Sequence, residues 1–105
     1  MDINQIKRRD RLRIAREKGS HTKLEWDEML DFFENTCVKC FGESGLYHVE
    51  KDHITPLYQG GSDGIDNIQP MCARCNASKG PDRMDYRPQL SDLLGKELPN
   101  EYKLK

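Results

Sequence analysis

Four cysteines form two Cys-x2-Cys pairs, Cys37 with Cys40 and Cys72 with Cys75. Thiolates at this spacing typically surround one zinc ion as a tetrahedron, each pair contributing one knuckle. Such a site has no open coordination position, so the zinc would be structural, and its binding would add on the order of 10–16 kcal/mol of apparent folding free energy. Two disulfides are the alternative, which a chain without a secretory signal disfavours.

Oxygen and nitrogen donors lie between and just after the cysteine pairs: Asp52, His53, Asn67 and Asn76. Hydrolysis of a phosphodiester needs a base for water and positive charge near the phosphate. His53 suits the base because the pKa of histidine lies near neutrality. Asp52 and Asn76 offer hard oxygen ligands, which suit Mg²⁺ or Mn²⁺. Asn67 could hold the imidazole's neighbourhood, or the intervening loop, through hydrogen bonds.

The elements that must position these residues are two strands and a helix. We predict a strand over 46–54, a short return strand over 67–69 closed by Pro70, and a helix from about Cys72 to Lys79 that Gly80 ends. The glycine-rich loop at 59–64 is interpreted as turn geometry, because it lacks the ending of a phosphate-binding loop.

Neighbouring side chains in these elements point in different directions. Consecutive strand residues face opposite sides of a sheet, so Asp52 and His53 can take different roles. Consecutive helix residues point about 100° apart, so Asn76 faces away from the zinc if Cys75 faces it.

Flanking segments complete the predicted α+β domain. Thr22 and Glu25 form a capping-box pattern, and Met29 and Phe33 follow at helical spacing, which indicates a helix packed on the zinc module. Residues 2–18 look helical and strongly basic, either as a solvated helix or disordered leader or as an arm that contacts phosphates. In the tail we expect one short docked helix, with fraying beyond Pro99. His21 and His48 are expected at the surface.

The ordered set of motifs resembles the HNH endonuclease family in its zinc-knuckle form. The motifs are the first cysteine pair, Asp52-His53-Ile54, Gly-Gly-x-Asp, Asn67-Ile68-Gln69, and the second cysteine pair followed by Asn76 and Lys79-Gly80. The resemblance implies a ββα-metal fold, His53 as general base, Asp52 and Asn76 as ligands of a catalytic divalent ion, and Asn67 as the middle asparagine. In this family the last motif position is often histidine, so the asparagine at position 76 affects which divalent metal the site is expected to prefer.

The resemblance also implies DNA as the substrate. Candidate phosphate contacts are Lys79, one turn after Asn76, together with Arg74, Arg87, Arg8, Arg9 and Arg11. We predict an arm over 1–20, a nuclease domain over 21–87 and a partly helical tail over 88–105. A homodimer or a larger DNA-processing complex is a possible assembly, because a domain this small has little surface for reading bases.

Composition sets the remaining expectations. The chain has 105 residues, 33 % of them charged, and a formal net charge of −1 that hides the basic N-terminal segment. No apolar run approaches the roughly 18 residues of a membrane span, so we expect a cytoplasmic protein. Two alternatives to a nuclease stay open: a zinc-stapled nucleic-acid-binding module without cleavage activity, and an interaction protein whose basic arm contacts another chain.

Overall fold

The computed structural model describes residues 8–42 and 48–104. Within this part the chain forms four α-helices and one two-stranded sheet, the α+β class predicted. The elements are α1 Arg8–Lys18, α2 Lys23–Phe32, β1 Val49–His53, β2 Ile68–Cys72, α3 Ala73–Lys79 and α4 Arg87–Leu93. Short 3-10 turns occur at Leu57–Gln59, Ile65–Asn67 and Asn100–Tyr102.

Strands β1 and β2 pair antiparallel and lead directly into α3, which gives the predicted ββα order. In the register of the sheet Asp52 lies opposite Gln69, and His53 lies opposite Ile68. The first part of the strand expected over 46–54 falls partly outside the described residues.

The return strand is longer than predicted, because it continues through Pro70 to Cys72. The carbonyl oxygen of Pro70 accepts a hydrogen bond from the backbone N–H of Val38, 3.0 Å away. The nitrogen and oxygen of one antiparallel strand residue point to the same side, so the missing N–H of Pro70 faces away from β1. Proline is tolerated in a strand at such a position, and here it does not end the strand.

Helix α2 begins as predicted. The Thr22 side chain accepts from the backbone N–H of Glu25, and the Glu25 side chain accepts from the N–H of Thr22, which confirms the capping box. Met29 of α2 and Phe33, which directly follows the helix, are fully buried in the core. The other members of this core include Val38, Ile68, Met71 and Leu90.

Helix α4 supplies the short docked helix predicted in the tail, but the expected fraying beyond Pro99 is wrong at Tyr102. Tyr102 is 4 % exposed, and its ring lies 5.8 Å from the ring of Phe32 and 6.4 Å from that of Phe33. Aromatic pairs at such distances add to the free energy of burial. The tail is therefore fixed to α2 through this side chain.

Helix α1 packs on the rest of the domain through its C-terminal half. Ala15 is 1 % exposed, and Nζ of Lys18 donates to the carbonyl oxygen of Gly60 at 2.8 Å. The first residues of the segment expected to be helical, 2–7, lie outside the described part. Among the described residues, no helix is long and apolar enough to cross a membrane.

Candidate active site

The four cysteine sulfurs come together in one cluster, all within 4.8 Å of one another. The Sγ atoms of Cys40 and Cys72 are 3.8 Å apart. A tetrahedron with zinc–sulfur bonds of about 2.3 Å has edges of about 3.8 Å, so the donor set fits a zinc ion. Helix α3 begins at this cluster, because Sγ of Cys72 caps the N–H of Cys75 at 3.4 Å.

The electrostatics of the cluster favour a cation. Burial opposes ionisation of Cys37, but backbone N–H groups around its sulfur outweigh it and lower its pKa to about 7. Burial and the neighbouring sulfurs raise the pKa of Cys75 to about 12. Four thiolates this close repel one another, so a positive ion is what allows all four to ionise together.

A second group of polar side chains lines a cavity of about 210 Å³ beside β1 and α3. Asp52, His53 and Asn76 all contribute to its wall. The remaining lining residues are Lys51, Pro56, Leu57, Lys79 and Gly80. The structure thus brings the three side chains that the sequence singled out for the catalytic ion and the base to one place.

Asp52 is held from one side. Oδ2 accepts from Nε2 of Gln69 at 2.9 Å and lies 3.2 Å from Nζ of Lys79. Gln69 is fully buried and also joins the segment after α3, donating to the carbonyl of Met84 and accepting from the N–H of Tyr86. Gln69 has no local sequence signal for this contact, because its position opposite Asp52 follows only from the register of the sheet.

Asn76 is oriented by Glu50, another residue without a role in the sequence analysis. Nδ2 of Asn76 donates to Oε1 of Glu50 at 2.7 Å. A carboxylate can only accept, so this bond fixes which end of the amide faces Glu50. Glu50 and Asp52 are two residues apart on β1 and therefore share one face of the strand.

Asn67 holds the loop that follows β1. Its Oδ1 accepts from the N–H of Thr55, and its Nδ2 donates to the carbonyl oxygens of Thr55 and Ser62. Asn67 is 3 % exposed. Gly61 is required in the same loop, because a Cβ there would lie 1.9 Å from the carbonyl oxygen of Thr55. These contacts agree with the loop-holding function considered for Asn67.

His53 is partly accessible, with 24 % of its side chain exposed. Its Nε2 lies 2.8 Å from Oδ1 of Asp63. Asp63 is the last residue of the Gly-Gly-x-Asp motif, for which no function was predicted from the sequence. The exposed His48 lies where expected, whereas the expectation for His21 is wrong, because its side chain is only 5 % exposed.

Two predicted phosphate contacts are buried instead. Nζ of Lys79, on a side chain 2 % exposed, donates to the carbonyl oxygens of His53 and Ile54 in addition to its pairing with Asp52. Arg87 is fully buried, where it pairs with Asp85 and reaches the carbonyl of Ile68. Both cations hold β1 and β2 in place, and Lys79 also lines the cavity beside Asp52, His53 and Asn76.

The other predicted phosphate contacts are exposed, partly buried or outside the described residues. Arg74 is exposed on the first turn of α3, and Arg11 is partly buried on α1. The side chains of Arg8 and Arg9 lie outside the described part of the structure.

The ββα unit with its cysteine cluster defines a small ββα-metal domain. The model of the HNH endonuclease family matches residues 35–82, a segment that contains both cysteine pairs and the cavity residues. This match confirms the resemblance seen in the sequence, over slightly less than half of the chain. No curated protein and no solved structure matches the chain significantly.

Proposed function

We propose that this protein is a DNA endonuclease that hydrolyses phosphodiester bonds with the help of a divalent cation. The observation that carries the proposal is the convergence of Asp52, His53 and Asn76 on one cavity within the segment that matches the HNH endonucleases. An imidazole beside two hard oxygen donors has the composition that hydrolysis of a phosphodiester requires.

The donor set fits magnesium or manganese. The described contacts of the Asp52 carboxylate fall on Oδ2, so Oδ1 is the oxygen that it offers to a cation. Glu50 holds Nδ2 of Asn76, so the amide offers its Oδ1. One carboxylate oxygen and one amide oxygen, with water and phosphate oxygens, are ligands typical of Mg²⁺ or Mn²⁺. A cation held there would supply positive charge for the phosphate and the leaving 3′ oxygen.

The protein's own groups then divide the work. His53 accepts the proton of the attacking water. Gln69 and Lys79 hold the Asp52 carboxylate, and Asn67 holds the loop that follows His53. The cysteine cluster binds zinc as a structural ion that fixes the start of α3, and thereby Asn76, relative to β1. The family resemblance implies products with 5′-phosphate ends.

The experiment is a plasmid-cleavage assay with the zinc-loaded protein and a series of divalent ions. We expect nicking with Mg²⁺ or Mn²⁺, and we expect His53→Ala to lower the rate about 10²–10⁴-fold, the usual contribution of a general base. His48→Ala is the matched control, because it removes an exposed histidine just before the same strand and should leave the rate unchanged.

Two results would count against the proposal. Cleavage by zinc-loaded His53→Ala at the wild-type rate would exclude the assigned base. DNA binding without cleavage under Mg²⁺, Mn²⁺, Ni²⁺ and Zn²⁺ would instead indicate a zinc-stapled nucleic-acid-binding module.

A further inference from the structure

Asp63 is a buried carboxylate at the edge of the proposed active site. The residue is 6 % exposed, and its Oδ1 lies 2.8 Å from Nε2 of His53. The mechanism described so far leaves Asp63 without a function. A carboxylate cannot donate a hydrogen bond, so Nε2 of His53 must carry the proton in this pair. The lone pair of the imidazole then lies on Nδ1, and Nδ1 is the atom that can accept a proton from water.

The backbone of Asp63 is held by the end of α1. Its N–H donates to the carbonyl oxygens of Ala15 and Gly19, each at 3.2 Å. Its carbonyl oxygen lies 2.7 Å from Nδ1 of His21, a side chain that is 5 % exposed. Three backbone or buried contacts therefore fix this residue from one direction.

The second carboxylate oxygen faces the same segment. Oδ2 of Asp63 lies 3.6 Å from Nε of Arg16 and 3.7 Å from Nδ1 of His21. Oδ2 thus faces N–H groups of the segment 15–21, while Oδ1 faces His53. All of these partners precede residue 35, where the match to the HNH endonucleases begins.

We propose that Asp63 is a positioning residue for His53, and that the segment 15–21 is part of the active site of this chain because it holds Asp63. The inference rests on the proposed function, in which His53 is the base. Asp63 acts by fixing the ring orientation and the tautomer of His53, in the way that a carboxylate orients a catalytic histidine in other enzymes. The N-terminal segment is then more than a phosphate-contacting arm, because it reaches the base through one side chain.

Two substitutions of Asp63 separate orientation from loss of contact. Asp63→Ala removes the acceptor, and we expect kcat to fall about 10–100-fold with little change in KM, as for other partners that fix a histidine ring. In Asp63→Asn the amide oxygen should face Arg16 and His21, which leaves the amide N–H₂ toward Nε2 of His53. That bond selects the tautomer with the proton on Nδ1, so kcat should fall at least as far as in Asp63→Ala.

The tautomer of His53 distinguishes positioning from a purely structural function, because a purely structural function of Asp63 would leave it unchanged. Long-range ¹H–¹⁵N spectra of zinc-loaded protein labelled at its three histidines report it directly. We expect the Nε2–H form in the wild type, a mixture in Asp63→Ala, and the Nδ1–H form in Asp63→Asn. Asp92→Asn, which removes an exposed carboxylate of α4, is the control and should change neither the tautomer nor kcat.

The outcomes separate this inference from the proposed function. Wild-type cleavage with an unchanged kcat in Asp63→Ala, or an unchanged His53 tautomer in both Asp63 variants, would overturn the inference alone. If the wild type does not cleave DNA, the proposed function fails, and the tautomers still decide whether Asp63 orients His53. Should neither Asp63 variant retain zinc, Arg16→Ala is the substitute, because its side chain is 61 % exposed and its removal should leave the fold intact. A fall in kcat of about two- to fivefold supports the inference, and an unchanged kcat contradicts it.

Discussion

Asn67→Ala tests how the loop after β1 is held. Asn67 is 3 % exposed and makes three hydrogen bonds, one with the N–H of Thr55 and two with the carbonyl oxygens of Thr55 and Ser62. Leaving a buried polar group unsatisfied costs about 1–3 kcal/mol. Thr55 and Ser62 border an open cleft of about 550 Å³, so water can replace part of what is lost. We therefore expect a loss of about 2–4 kcal/mol in the free energy of unfolding.

The assay is urea unfolding followed by circular dichroism, at equal zinc content for every variant, because bound metal shifts apparent stability. Asn100→Ala is the matched control, since Asn100 is exposed in a 3-10 turn of the tail. Asn67→Asp should be at least as harmful as Asn67→Ala, because its carboxylate would face two carbonyl oxygens. A loss below about 0.5 kcal/mol for Asn67→Ala, the range of ordinary surface substitutions, would refute the assigned loop-holding function.

Two further predictions concern the cations and the tail. Arg87→Ala should lower the free energy of unfolding by about 2–5 kcal/mol, because it empties a fully buried position and leaves the carbonyl oxygen of Ile68 and the partly exposed Asp85 without their partner. Arg74→Ala, at an exposed position, should change stability little and reduce the salt dependence of DNA binding by about one phosphate contact. Unchanged stability with a reduced salt dependence of DNA binding in Arg87→Ala would instead indicate that Arg87 contacts DNA. Burial, with nearby acidic groups, raises the pKa of the Tyr102 hydroxyl from 10.0 to about 12. The contribution of Tyr102 to the free energy of unfolding is therefore complete below pH 10. Between pH 10 and 12 this contribution declines by up to about 1.4 kcal/mol per pH unit. The free energy of unfolding, measured from pH 9 to 12, should decline less steeply in Tyr102→Phe than in the wild type. Equal slopes in the two proteins would contradict the burial of this ring.

The sequence predicted the parts of the site that depend on local spacing. The two cysteine pairs indicated a metal cluster, and the sulfurs do lie together. Asp52 and His53 were placed on a strand and Asn76 on a helix that begins near Cys72, which is where the structure has them. These assignments succeed because the strand and the helix have local sequence signals, the alternation of apolar residues over 46–54 and the glycine at position 80 that ends the helix.

The residues that support the site could not be predicted in the same way. Gln69, Glu50 and Asp63 act through partners that are 17, 26 and 10 positions away in the chain. Their contacts follow from the strand register and from the packing of α1, neither of which has a local signal. The burial of Arg87 could not be predicted for a related reason, because a buried arginine and a surface arginine look alike in sequence until the partner, here Asp85, is placed beside it.

The two-ion arrangement is tested most directly by a manganese titration of the zinc-loaded protein, with free Mn²⁺ measured by electron paramagnetic resonance. The comparison is between the wild type and the double variant Asp52→Asn, Asn76→Ala, in which the amide oxygen introduced by the first substitution still offers an acceptor to Gln69 and Lys79. We expect one tightly bound Mn²⁺ per chain in the wild type and loss of that binding in the double variant, with one zinc per chain in both. Mn²⁺ binding of equal strength in the two proteins would contradict an oxygen-held cation at Asp52 and Asn76.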